Sequence, residues 1–305
     1  MTNSQHSPEK KYVGVDLGGT TITAGVVKAS KILELKTVST GRKRPAREIL
    51  RTIINLVEDV SSYHTISGIG IGVPVPSGPR TDALVPSDNL PTMGGFRLKR
   101  NMTVYFNLPV LLENDARCMT LGEHRAGVLK GCSDCACITL GTGLGLGIII
   151  DGKIYRGKKY NAGEIWNIPL ENGIILEDIA AIRGLKTVYK ELSGLDAEPH
   201  EIHEKLVNGD KEAVASFNKY GEAVGRVAVI VLSFLDPERI AVGGGIANSF
   251  EAFQEGMFRF VGKTLGKESA EKIVPAGLSD KAAILGAAAL IEIQDSRFKV
   301  TNPNY

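Results

Sequence analysis

Two aspartates, Asp16 and Asp115, stand in surroundings that suit phosphate and proton chemistry. Asp16 closes an apolar run and is followed by Leu17-Gly18-Gly19-Thr20-Thr21 and a second apolar run, Ile22–Val27. Glycines at a hairpin tip let backbone N–H groups approach an anion closely, and the two threonine hydroxyls add donors. A carboxylate at that strand end would hold Mg2+ through the ion's own waters. Tips of the same composition also close hairpins that bind nothing. Asp115 lies in Glu113-Asn114-Asp115-Ala116, between a short apolar run, Val110–Leu112, and a helical pattern, Ala116–Ala126. It reads as a helix N-cap or as a general base that takes a proton from a substrate hydroxyl.

The hairpin pattern occurs twice. Cys135–Asp151 repeats the plan of apolar strand, glycine-rich tip (Gly141-Thr142-Gly143) and apolar strand, which suggests two similar domains. Two donor loops facing one cleft are what a nucleoside triphosphate requires, because phosphoryl transfer rests on positioning and charge neutralisation. A third glycine run, Gly243-Gly244-Gly245, follows the short strand pattern Arg239–Val242 and precedes a helical segment, Asn248–Phe260. Such a turn lets a flat ring or a ribose lie on bare backbone. It is not the GxGxxG fingerprint, and no GxxxxGK[ST] loop occurs in the chain.

The elements that position these groups are of mixed type. Strand patterns at Tyr12–Leu17, Ile22–Lys28 and Ile32–Ser39 precede a helix at Ala46–Val60 and a strand at Ser67–Val73. A Pro/Gly-rich loop, Pro74–Gly95, comes next; loops that long are often functional. A long helical pattern covers Lys211–Phe234, and an Ala-rich helix, Lys281–Gln294, suits close packing. The expectation is an α/β chain of two domains around a central cleft, with a hinge near residue 113. Residues 1–112 plus the terminal helix, about 290–305, would form the smaller domain and 113–289 the larger.

Composition narrows the function. A chain of 305 residues supports two domain cores, and a net charge of +2 gives no electrostatic argument for nucleic acid or membrane as partner. No apolar run approaches the roughly 20 residues of a membrane span, and the polar first eleven residues lack a signal-peptide core. That segment is also too short for a helix-turn-helix domain. A cytoplasmic address with reduced cysteines is expected. Cys132, Cys135 and Cys137 form a CxxCxC run without a nearby histidine, so structural thiols are favoured over a metal site. His200 and His203 fit an exposed amphipathic turn better than a metal site.

In this order, DLGGTT, ENDA, LGTGLGLG, AGE and DPxxIxxGGGI resemble the ROK family of sugar kinases and repressors, within the actin/hexokinase-like superfamily of ribonuclease H-like domains. The resemblance runs from about Tyr12 to Leu290. It implies an ATP- and Mg2+-dependent carbohydrate kinase, glucokinase-like and homodimeric, with Asp115 as catalytic base. It implies sugar contacts from Asn114, Glu164 and Glu177, with Asn89 and Arg80 as further candidates from the long loop. Gly18, Gly19, Thr20, Thr21, Gly141, Thr142 and Gly143 would hold phosphates, Asp16 would lie near Mg2+, and Gly243, Gly244 and Gly245 would pack on adenosine. A non-catalytic sugar sensor of the same fold is the alternative; an ATPase acting on a protein partner is a second.

The chain departs from the family pattern at one place. Many members read GEIGH followed by a CxCGxxGC cluster that binds structural zinc. Here Gly163-Glu164-Ile165-Trp166-Asn167 is followed by Ile168–Leu176 without cysteine or histidine, so no zinc is expected there. Trp166 stands in place of a glycine and Asn167 in place of the histidine, beside the expected sugar. Asparagine offers a donor and an acceptor but takes up no proton.

Overall fold

The computed structural model describes residues 10–75 and 83–301. Ten strands run β1 (Tyr12–Leu17), β2 (Thr21–Lys28), β3 (Lys31–Ser39), β4 (Ile69–Val73), β5 (Val110–Asn114), β6 (Cys135–Leu140), β7 (Leu144–Ile150), β8 (Lys153–Ile154), β9 (Arg239–Gly243) and β10 (Ile273–Pro275). The helices are α1 (Ala46–Ser61), α2 (Leu98–Phe106), α3 (Asp115–Ala126), α4 (Leu176–Ala180), α5 (Ile182–Ser193), α6 (Pro199–Val207), α7 (Lys211–Leu235), α8 (Phe250–Leu265), α9 (Lys267–Glu271) and α10 (Lys281–Thr301).

Two compact units result: 1–126 with 158–160 and 280–305, and 127–157 with 161–279. Each holds a five-stranded sheet, in the orders β3-β2-β1-β4-β5 and β10-β9-β6-β7-β8. Reading the second order backwards aligns them: an antiparallel hairpin, β1–β2 or β6–β7, whose first strand pairs in parallel with β4 or β9. The repeated hairpin pattern in the sequence is thus a repeated sheet topology.

In the first unit, alternate residues of β1, β2 and β4 and the apolar face of α1 close one core, with Val13, Val15, Ile49, Ile53, Ile69 and Ile71 all fully buried. The other face of this sheet takes α10. A Cβ built on Gly14 or Gly70 would overlap the Ile284 or Ala287 carbonyl, so only glycine lets this helix lie against the strand backbones. The same helix meets α3 through Gly122 and Gly286, where a side chain on either would strike the other helix's backbone. This packing carries the first unit through α3 to Ala126 and recruits the chain from Asp280 onward, where the sequence reading drew the lines at 112 and about 290.

The second unit has its own core, in which apolar residues of α7 and α8 cluster with those of β6 and β9, with Phe217, Tyr220 and Phe253 fully buried. Cys135 and Cys137 are buried in β6, and burial pushes the Cys135 thiol up to about 12, far from thiolate character. Among the described residues no helix is long and apolar enough to cross a membrane.

Candidate active site

In the first unit the β1–β2 hairpin closes at Leu17↔Ile22, with Gly18 N–H donating to the Thr21 carbonyl at 2.9 Å. Thr40 braces the tip from outside: its hydroxyl donates to the Gly18 carbonyl at 2.7 Å and its N–H to the Thr20 carbonyl at 2.8 Å. Among the described residues the N–H groups of Gly19 and Thr20 take no part in the hairpin's own hydrogen bonds. Thr21 already belongs to β2, at its first position. A Cβ on Gly19 would stand 2.9 Å from the Asn89 carbonyl oxygen, so glycine brings the long loop directly onto the tip. That loop is anchored by the buried side chains of Leu84, Leu90 and Met93. Arg80 lies outside the described residues.

Asp16 faces two other carboxylates. Burial first, then the charges of Asp115 and Asp280, raise its carboxyl from an ordinary 3.8 to about 7. Crowding of this kind suits a cation. Among the described residues, however, no three His, Cys, Asp or Glu side chains gather tightly enough to hold a metal ion between them. A nucleotide-bound Mg2+ usually keeps several waters and needs only one or two carboxylates. Asp280, just ahead of α10, had no sequence signal; only the packing of α10 on β1 brings it here.

The raised carboxyl has a consequence for stability. The folded chain holds a proton on Asp16 that the unfolded chain has already lost above pH 4. This group's contribution is therefore present below about 4 and lost as pH rises towards 7. At about 1.4 kcal/mol per pKa unit, the loss is at most about 4 kcal/mol. Urea unfolding of Asp16→Asn at pH 5 and pH 8 is expected to show the variant gaining on the wild type as pH rises; parallel pH profiles would contradict this.

Asp115 begins α3. The cap at this helix start is Asn114, not Asp115: the Asn114 Oδ1 accepts from Arg117 N–H at 3.2 Å, three residues on. Asp115 accepts from the N–H of Ala116 at 2.7 Å, and the helix N-terminus favours its negative charge. With the cap assigned to its neighbour, Asp115 is not needed to start the helix. Beneath the turn, Arg117 and Glu113 form a buried ion pair at 3.2 Å, and the Glu113 carboxylate also accepts from the Asn114 N–H at 3.0 Å. Arg117 further donates to the Tyr160 carbonyl at 2.7 Å. The sequence reading gave Glu113 and Arg117 no role; a buried charged pair inside ENDAR was the signal available.

In the second unit the β6–β7 hairpin closes at Leu140↔Leu144, with Gly141 N–H donating to the Gly143 carbonyl at 3.1 Å. Gly244, at a φ of +90°, lies where any side chain would strike Leu140, so the GGG turn abuts this hairpin. Gly243 ends β9, and the chain passes through a short 3-10 turn, Gly245–Ser249, before α8.

Glu177 is tied to the same tip. Its Oε2 accepts from Leu144 N–H at 2.9 Å and its Oε1 from Arg183 at 2.7 Å, while a Cβ on Gly143 would meet Oε2 at 2.7 Å. A residue expected to touch sugar thus braces the 141–143 tip instead of standing free of it, and Arg183, not foreseen, holds its other oxygen. Gly163, at a φ of +88°, presses against the Leu146 carbonyl and fixes the AGE segment on β7. The Trp166 carbonyl accepts from Glu177 N–H at 3.0 Å, which brings Glu164 and Glu177 into one neighbourhood. The segment without cysteines closes on itself, with Leu170 N–H donating to Ile174 at 2.7 Å and Pro169 bridging to Ile175.

Comparison with known proteins decides the family. The model described as ROK family matches residues 12–294. The chain belongs to the ROK family. An N-acetyl-D-glucosamine kinase of Vibrio atlanticus is 29% identical over 304 residues, covering 92% of this chain and 99% of that protein. Among solved structures, a ROK family glucokinase from Streptomyces griseus, in complex with glucose and AMPPNP, is 30% identical with a TM-score of 0.79, covering 92% of this chain and 98% of that one. A ROK hexokinase from Thermus thermophilus gives 28%, a TM-score of 0.78, and coverage of 93% and 99%. The α/β fold of this ROK chain is that of these actin-like kinases.

Proposed function

We propose that this ROK chain is an ATP-dependent sugar kinase, transferring the γ-phosphoryl group of MgATP to a hydroxyl of a hexose or related sugar. The observation that carries the reading is Asp115: a carboxylate at a strand-to-helix turn whose cap is Asn114, in the same unit as the glycine tip of the β1–β2 hairpin. The sugar oxygen attacks the γ-phosphorus, its proton passes to the Asp115 carboxylate, and the bond from phosphorus to the ADP oxygen breaks. Mg2+ would neutralise charge on the phosphates, held by Asp16 through water.

The tips at 18–21 and 141–143 hold phosphate through backbone N–H groups, and Gly243, Gly244 and Gly245 offer bare backbone to adenosine. Asn114, Glu164, Asn167, Glu177 and Asn89 are the candidate sugar contacts; the Asn114 amide NH2 stays available because its oxygen serves the helix. A homodimer in the cytoplasm, with no structural zinc, completes the reading. Relatives named as sugar kinases over nearly their full length support it.

The test is ADP release with MgATP across glucose, fructose, mannose, N-acetylated hexosamines, allose and inositols. Sugar-stimulated release by at least one of them is expected. Saturable sugar binding without release would replace the kinase by a sensor.

A further inference from the structure

Trp166 is the only tryptophan in the chain and is 40% exposed, an expensive way to place an indole unless something covers it. Its neighbours Ile165 and Ile168 pack against the core of the second unit, so the loop is not loose. Its carbonyl is held by Glu177 N–H at 3.0 Å, and its indole N–H donates to Glu164 Oε2 at 3.0 Å. Both the backbone and the polar edge of the ring are thus committed, while two-fifths of the residue's surface stays in solvent. A fixed aromatic plane beside a carboxylate is a standing platform for a ring that is apolar on its faces and polar on its rim.

Resting on the kinase reading above, we propose that Trp166 determines sugar specificity. Its face stacks on the C–H face of a glucose-configured pyranose, and its N–H holds Glu164 towards that ring's hydroxyls. Glucose and N-acetylglucosamine carry every hydroxyl or acetamido group of the ring carbons beyond C1 equatorially, so either face presents only axial hydrogens there. Allose places an axial hydroxyl at C3 on one face; mannose and galactose place one, at C2 or C4, on the opposite face. An axial hydroxyl pressed on the indole loses its water and finds no partner, worth about a tenfold loss of affinity or more. Fructose in its furanose form and acyclic polyols offer no flat six-membered face at all.

The single indole makes the test direct. Emission of the wild-type protein is expected to change saturably with glucose or N-acetylglucosamine. It should respond about tenfold more weakly to allose, or to mannose and galactose, according to the face that stacks. In ADP-release kinetics, Trp166→Ala should raise the KM for the preferred sugar by about tenfold to a hundredfold and collapse the ratio between epimers, with the KM for MgATP unchanged. Trp166→Phe keeps a stacking ring but frees Glu164; it should retain the epimer ratio while losing kcat/KM.

Sugar-stimulated ADP release with unmoved emission, or with an unchanged epimer ratio in Trp166→Ala, overturns the proposal and leaves the kinase standing. Epimer-selective emission changes without ADP release support the stacking site and reject the kinase.

Discussion

Asparagine in place of Asp115 is expected to lower kcat by about 10²–10⁴ while MgATP still binds. The substitution is nearly isosteric, and an amide oxygen can still accept the Ala116 N–H that the carboxylate accepts at 2.7 Å. The start of α3 is also protected, because its cap is Asn114. What the amide lacks is a site for the proton that leaves the sugar oxygen as it attacks phosphorus. Loss of that step alone should appear in kcat, with the KM for MgATP and the thermal midpoint little changed. ADP-release kinetics beside a nucleotide titration measure both. A kcat near wild type would remove Asp115 from the chemistry and leave its place at the turn as architecture only.

A second large effect is expected at Arg117, on stability rather than chemistry. Its side chain is 1% exposed and its partner Glu113 is 3% exposed, at 3.2 Å. Removing the guanidinium takes the counter-charge from the Glu113 carboxylate in the core and the 2.7 Å donor from the Tyr160 carbonyl. Breaking a buried pair from one side costs about 3–5 kcal/mol, whereas replacing both partners by apolar groups is often nearly neutral.

Arg117→Ala should therefore unfold at markedly lower urea, and the double variant Glu113→Leu with Arg117→Met should recover most of the loss. Far-UV circular dichroism covers both units, while Trp166 emission reports the second. The deficit should thus be larger in the dichroism transition. A single variant within about 1 kcal/mol of wild type would mean the pair is solvated or dispensable.

What the sequence disclosed follows from how locally each feature is encoded. The hairpins were legible because apolar strand, glycine tip and apolar strand are contiguous, and their duplication reappears as two sheets of one topology. The strand-to-helix turn at Asp115 and the glycine turns were legible for the same reason. Asp280 was not, since it joins Asp16 only through α10 lying on Gly14 and Gly70. Arg183 and the second attachment of Glu177 depend on α4 and α5 meeting the hairpin tip, a tertiary contact with no spacing rule. The reach of the first unit escaped as well. It is set by helix-on-helix packing through Gly122 and Gly286, residues far apart in the chain.

That last arrangement has a consequence during synthesis. The sheet face around Gly14 and Gly70 is covered by a helix that begins only at Lys281, after the whole second unit has been made. At about 5–20 residues per second, the stretch between Ala126 and Asp280 occupies a ribosome for roughly 10–30 s. Through that interval the nascent first unit carries an uncovered sheet face of nearly bare backbone around Gly14, Gly25 and Gly70, whereas the second unit, nearly all contiguous, can fold as it emerges. The first part of the chain to be translated is therefore the last to be completed.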